Sequence, residues 1–137
     1  MEEKELTEVL NKERAALDKL LLLLDEQYRS IMNKDIFNLE ALVDRINQAN
    51  KEIAQIEINR RKIVGKGKMR EVVAKLNNRE LEKEYFEIRK TINSVSKQKD
   101  TNDLLIKQRL SYTNQLLNII NPRRDYKTYN SYGNLSR

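Results

Sequence analysis

The sequence predicts an all-α protein: an elongated antiparallel bundle of three long helices with a flexible C-terminal tail. Three observations carry that expectation. Apolar residues recur at alternating spacings of three and four over most of the chain, as they do in helices with one apolar side. Charged residues make up 35% and apolar residues 39% of the 137, with 3 Gly, 1 Pro and no Trp, a composition that suits long solvated helices. The close glycine pair Gly65 and Gly67 and the single proline, Pro122, fall between or after the periodic stretches rather than within them.

The first helix is expected over about residues 3–33. Its stripe runs Leu6, Leu10, Leu17, Leu20, Leu24 and Ile31, with Glu13 and Gln27 interrupting the series. Val9, Ala16, Leu21, Leu23 and Tyr28 widen it, which suits packing against more than one neighbour. Asn33, Lys34 and Asp35 follow with cap-type side chains, so the chain is expected to turn there. A second helix is expected over 36–64, with a stripe of Leu39, Leu42, Ile46, Ala49, Ile53 and Ile56, then Arg60 and Ile63. Two long helices joined by a short turn form an antiparallel hairpin, each arm roughly 45 Å long.

Gly65 to Lys68 favours a turn, and Arg60, Arg61 and Lys62 suit the end of the helix before it. A short helix over 69–76 and the pair Asn77 and Asn78 complete the connection. From Arg79 a third stripe runs Leu81, Tyr85, Ile88, Ile92 and Val95, and resumes at Leu105, Tyr112, Leu116 and Ile119. The stretch between, SKQKDTND, holds no apolar side chain, so the helix either carries a hydrated waist or breaks near Asp100 to Asn102, both plausible N-caps. Since no glycine or proline requires a break, one helix over 79–120 is expected, ended by Pro122. The helical domain then spans 1–121 and the tail 122–137. A monomer or a homodimer is compatible with such stripes, because wide ones leave apolar surface for a second copy.

The same composition narrows function. With no His and no Cys, the sequence offers no disulfide, no zinc site built on those residues, no catalytic triad and no imidazole acid or base. Gly65 to Lys68 lacks the spacing, the hydroxyl residue and the preceding strand of a phosphate loop. Glu82, Glu84 and Glu87 lie among lysines at ion-pair spacing, as on a solvated helix face. No catalytic residue, metal ligand, cofactor or small-molecule substrate is expected. The acidic start MEEKELTEVL is unlike a signal peptide, and the longest apolar run, Leu20 to Leu24, is far short of the about 20 residues of a membrane span. A cytoplasmic protein is expected.

Net charge is +6 and uneven: residues 1–64 carry −2 and residues 65–137 carry +8. An acidic partner would therefore meet the second half. Arg60, Arg61, Lys62, Lys66, Lys68 and Arg70 make the best case for nucleic acid, but no aromatic residue interleaves them for stacking. Solvation and helix-end electrostatics are the better reading of that cluster. The richest apolar segment is instead Leu104 to Ile120, whose eight large aliphatic residues cover more than one side of a helix. Some of these serve the core and others suit a groove or helix partner.

Three stretches carry a resemblance. LLLLLDEQYRSIMNKDIFNLEAL at 20–42 steps from a leucine-rich helix through Gln27-x-x-x-Ile31 to Asp35 and Leu39. LLIKQRLSYTNQLLNII at 104–120 leads to a proline, and TYNSYG at 128–133 ends near a glycine. Together they resemble the FlgN family of flagellar export chaperones. The resemblance implies a cytosolic, non-enzymatic helical protein that binds hook-filament junction (hook-associated) proteins before type III export, prevents their premature assembly, and delivers them to the export gate. It also implies that the C-terminal helix binds the client, here through Leu105, Arg109, Tyr112, Leu116, Ile119 and Ile120, and that the tail, here Tyr126, Tyr129 and Tyr132, meets the client or the gate. The polar waist and the Gly65 to Lys68 turn are departures from the family's pattern. Two readings from other classes stand beside it: a sequence-blind nucleic-acid binder acting through the basic half, and a structural coiled-coil assembly protein.

Overall fold

A computed structural model describes the backbone of residues 2–120 and the side chains of residues 3–109. It holds four helices and, among the described residues, no strand: α1 (Glu2–Met32), α2 (Ile36–Val64), α3 (Met69–Leu76) and α4 (Arg79–Ile120). The tail 122–137 lies outside the described residues.

α1 organises the rest. Its wide stripe is buried from end to end, with Leu6, Val9, Leu10, Ala16, Leu17, Leu20, Leu23, Leu24 and Ile31 all no more than 8% exposed. That stripe packs against α2 along one side and α4 along the other, whereas α2 and α4 make only slight contact with each other. The described residues therefore form a central helix with two flanking ones around one core. The physical reason lies in the stripe widths. α2 buries only Leu42, Ala49 and Ile53 fully, a seam wide enough for one neighbour, while α1 has apolar side chains enough for two.

The pairing contacts fix directions. Glu13 meets Arg60, Lys19 meets Glu52 and Glu26 meets Arg45, so α2 runs antiparallel to α1. Glu3 meets Asn78, Arg14 meets Glu84 and Gln27 meets Asn102, so α4 runs parallel to it. The tip of the α1–α2 hairpin is pinned by Asn38, whose side chain donates to Ser30 Oγ at 2.7 Å and to Glu26 Oε2 at 3.1 Å, while its backbone N–H donates to the cap residue Asp35. Lys34 completes the turn at φ 58°. At the other end α2 stops at Gly65, whose φ of 74° is open to glycine at little cost, and α3 then lays Val73 against the core.

Among the described residues Glu13 is the one charged side chain fully inside, and it occupies an apolar position of the α1 stripe. Its carboxylate accepts two hydrogen bonds from Arg60 Nη1, at 2.5 and 2.8 Å, and Arg60 holds the corresponding position of the α2 stripe. Burial pushes the Glu13 carboxyl above its ordinary value, against the pull of the Arg60 guanidinium and with a further push from Glu57. The pair matches one break in each apolar seam, so a shifted hairpin would bury a lone charge.

Arg60→Ala is therefore expected to lower the unfolding free energy by about 3 kcal/mol, read from urea melts, because it strands the buried carboxylate. The raised value also sets a sign. The folded state holds the Glu13 proton more tightly than the unfolded chain, so that contribution is complete below the unfolded value and is lost as pH rises through the folded one. Relative to Glu13→Gln, the natural protein should lose stability as pH rises above the ordinary carboxyl range; a difference that grows in its favour with pH would contradict this.

Candidate functional site

The site begins where α4 leaves the core. Along its first half α4 turns Leu81 and Ile88 inward, both 1% exposed, with Tyr85 and Val95 half-buried beside them. The polar stretch that follows does not break the helix, and its centre is not hydrated. Asn102 is 0% exposed. Its Nδ2 donates to the Leu24 carbonyl oxygen at 2.8 Å and to Gln27 Oε1 at 2.9 Å, and its Oδ1 accepts from Gln98 Nε2 at 2.9 Å. An asparagine amide has two donors and an acceptor, and all three are used. Gln27, the second interruption of the α1 stripe, thus faces the interruption of the α4 stripe.

That contact sets how far α4 travels. Asn102 lies level with Leu24 to Gln27, so Met32, the last residue of α1, lies level with about residues 107–110 of a parallel helix of equal rise. α4 nevertheless continues to Ile120. Its final stretch extends about 15–20 Å past the level at which α1 ends. Met32 also follows Arg14 by about five turns on the lane of α1 that reaches α4, since Arg14 pairs with Glu84 at 2.9 Å. It is 47% exposed.

Leu105, Ile106 and Arg109 are half-buried at the point where this overhang starts, and Leu104 is 57% exposed on the outer side. Spacings of seven, four and three put Leu105, Tyr112, Leu116 and Ile119 on one lane of α4, with Arg109 and Ile120 on its flank. The backbone therefore brings those six positions together on one helix. The side chains of Tyr112, Leu116, Ile119 and Ile120 lie outside the described residues, as do Tyr126, Tyr129 and Tyr132 altogether. The sequence pattern does not single out the hairpin tip, where Met32, Ile36 and Phe37 are 47%, 66% and 87% exposed. Its one signal is that Ile36 and Phe37 directly follow the cap Asp35 and fall outside the Leu39, Leu42, Ile46 stripe.

The remaining surface offers little chemistry. An open groove of about 480 Å³ between α1 and α2 is lined by Ala15, Ala16 and Ile56 and is spanned by the Lys19–Glu52 pair at 3.6 Å. Glu84 is engaged by Arg14, Glu13 by Arg60, and no group of acidic residues suited to a metal ion occurs among the described residues. No helix among those residues is long and apolar enough to cross a membrane. What the arrangement supplies is apolar helix surface.

Because Asn102 holds α4 to α1 through a buried amide, Asn102→Ala should cost about 1–3 kcal/mol in urea unfolding, with Gln27 left unpaired. Exposed Asn93→Ala on the same helix should cost well under 1 kcal/mol by the same measurement.

A family model described as FlgN protein matches residues 1–137, the whole length of the chain. No curated protein and no solved structure matches it.

Proposed function

The chain belongs to the FlgN family, which points to a flagellar export chaperone, and from that premise we propose that it is a non-enzymatic cytosolic chaperone that holds hook-associated proteins. It binds them before assembly and delivers them to the type III export apparatus. The observation that carries the site is the overhang of α4: an apolar helical stretch continues past the level at which α1 ends. The client is an amphipathic segment that docks along Leu105, Tyr112, Leu116 and Ile119, with Arg109 and Ile120 beside it. Tyr126, Tyr129 and Tyr132 then contact the client or the export gate.

The physics of holding and releasing suits such a surface. Covering apolar area contributes about 25 cal/mol for each Å² removed from water. Ordering a client segment costs a large part of that gain, so a modest helix face gives binding that can be reversed at the next step. The work needs no nucleophile, acid or cofactor.

Leu116→Ala combined with Ile119→Ala is expected to reduce co-purification of a hook-associated protein by about tenfold or more, while the far-ultraviolet circular dichroism stays close to that of the natural chain. Unchanged capture by a folded variant would place the site elsewhere.

A further inference from the structure

A lone exposed apolar side chain is ordinary, but at the start of α2 three fall together. Ile36, Phe37 and Val43 are each more than half exposed. The 3.6-residue period puts them on the side of α2 away from Leu42, Ala49 and Ile53, the side chains that α2 buries. Glu40 and Asp44 share that outer side, both exposed, and neither makes an ion pair among the described residues. No cation occurs between Asp35 and Asp44. The patch is therefore apolar and acidic at once.

The neighbouring charges do not cancel this sign. Asp25 pairs with Arg29 at 3.5 Å and Glu26 with Arg45 at 3.7 Å, so those four are matched within the scaffold. That leaves Lys34 in the turn against Asp35, Glu40 and Asp44. Lys107, exposed near this level of the molecule, stands on α4, which packs on α1 and scarcely on α2. A nucleic acid or an acidic segment would be repelled by the patch. The surface suits a cationic segment that also carries large rings, since a cation can lie over the Phe37 ring or meet the two carboxylates.

The chain holds such a segment. Residues 121–137 carry four basic and one acidic side chain, with Tyr126, Tyr129 and Tyr132 among them. They follow Ile120, at the same end of the molecule as the α1–α2 turn, since Met32 lies level with about residues 107–110 of α4. Extended chain covers about 3.3 Å per residue, so Tyr129 can lie as far as about 30 Å from Ile120 and Tyr132 as far as about 40 Å. That reach spans the about 15–20 Å back to the level of the turn and one to two helix widths of about 10 Å across to α2. We propose that residues 121–137 dock back on the outer side of α2 at Ile36, Phe37, Glu40, Val43 and Asp44, with cations toward the carboxylates and Tyr129 and Tyr132 on the apolar residues. The tether makes the contact intramolecular, with an effective concentration of about a millimolar, so a weak surface is enough to hold it. The contact involves only this chain's own residues and stands apart from the client site. While it is closed, Tyr129 and Tyr132 are withheld from any other partner.

The chain has no tryptophan, so Phe37→Trp supplies a single fluorescent reporter in the full chain. Acrylamide quenching of that reporter at low salt reads how far the patch is covered. A ring covered on one side meets the quencher about half as often. Adding Tyr129→Ser with Tyr132→Ser should therefore raise the quenching constant by about twofold. Adding Glu40→Lys with Asp44→Lys should do the same, with far-ultraviolet circular dichroism unchanged in both. Lys66→Ala with Lys68→Ala, in the turn at the far end, should leave quenching as it was. Dilution should leave the protection intact, because the contact lies within one chain. Quenching unmoved by either of the first two sets, moved as much by the distant lysine variant, or protection lost on dilution, as docking of a second copy's tail would give, would each overturn the proposal. No client protein is present, so the result bears on this contact alone.

Discussion

One helix is shared by everything else. α2 and α4 pack on α1 and scarcely on each other, so their positions are set by how each engages α1. Aliphatic seams alone tolerate sliding by a heptad, because leucines and isoleucines replace one another at modest cost. The polar breaks in the α1 stripe remove that freedom. Among the described residues the Glu13 carboxylate bonds Arg60 of α2, and Gln27 bonds the buried Asn102 of α4. A slipped register would leave a buried carboxylate or amide without partners, and such groups are costly in a dry interior.

The function proposed above depends on the second of these contacts. Asn102 ties the middle of α4 to Leu24 and Gln27, and from there helical rise alone carries the remaining residues beyond the end of α1. The division of labour along α4 follows: inward residues such as Leu81 and Ile88 stabilise the protein, and the stretch from Leu105 onward is held out at its end. In the function proposed above, the folded core and the client surface share one helix. The basic connection between α2 and α3 lies at the other end of the same scaffold.

Much of this architecture was legible because helices announce themselves by period. The stripe Leu6, Leu10, Leu17, Leu20, Leu24 and Ile31 marks the residues that are buried, and the all-helical class follows from it. Period reveals which face is apolar but not which neighbour covers it, so the slight contact between α2 and α4 was not foreseeable. Polar interruptions were visible as interruptions only. Glu13 and Arg60 lie far apart in the chain, and SKQKDTND reads as a hydrated or broken segment until Asn102 is seen against Leu24 and Gln27. At the candidate site the lane of Leu105, Tyr112, Leu116 and Ile119 came from spacing. The exposed Met32, Ile36 and Phe37 did not, because exposure of an apolar side chain at a turn leaves no periodic trace.

The central claim is that the client is held on the part of α4 that extends past α1. Amide hydrogen exchange on the full chain, with and without a bound hook-associated protein, tests it most directly. The account predicts that the client slows exchange over residues 105–120 and leaves the middle of α2, residues 42–56, unchanged. Protection concentrated on α2, with none along the end of α4, would contradict it.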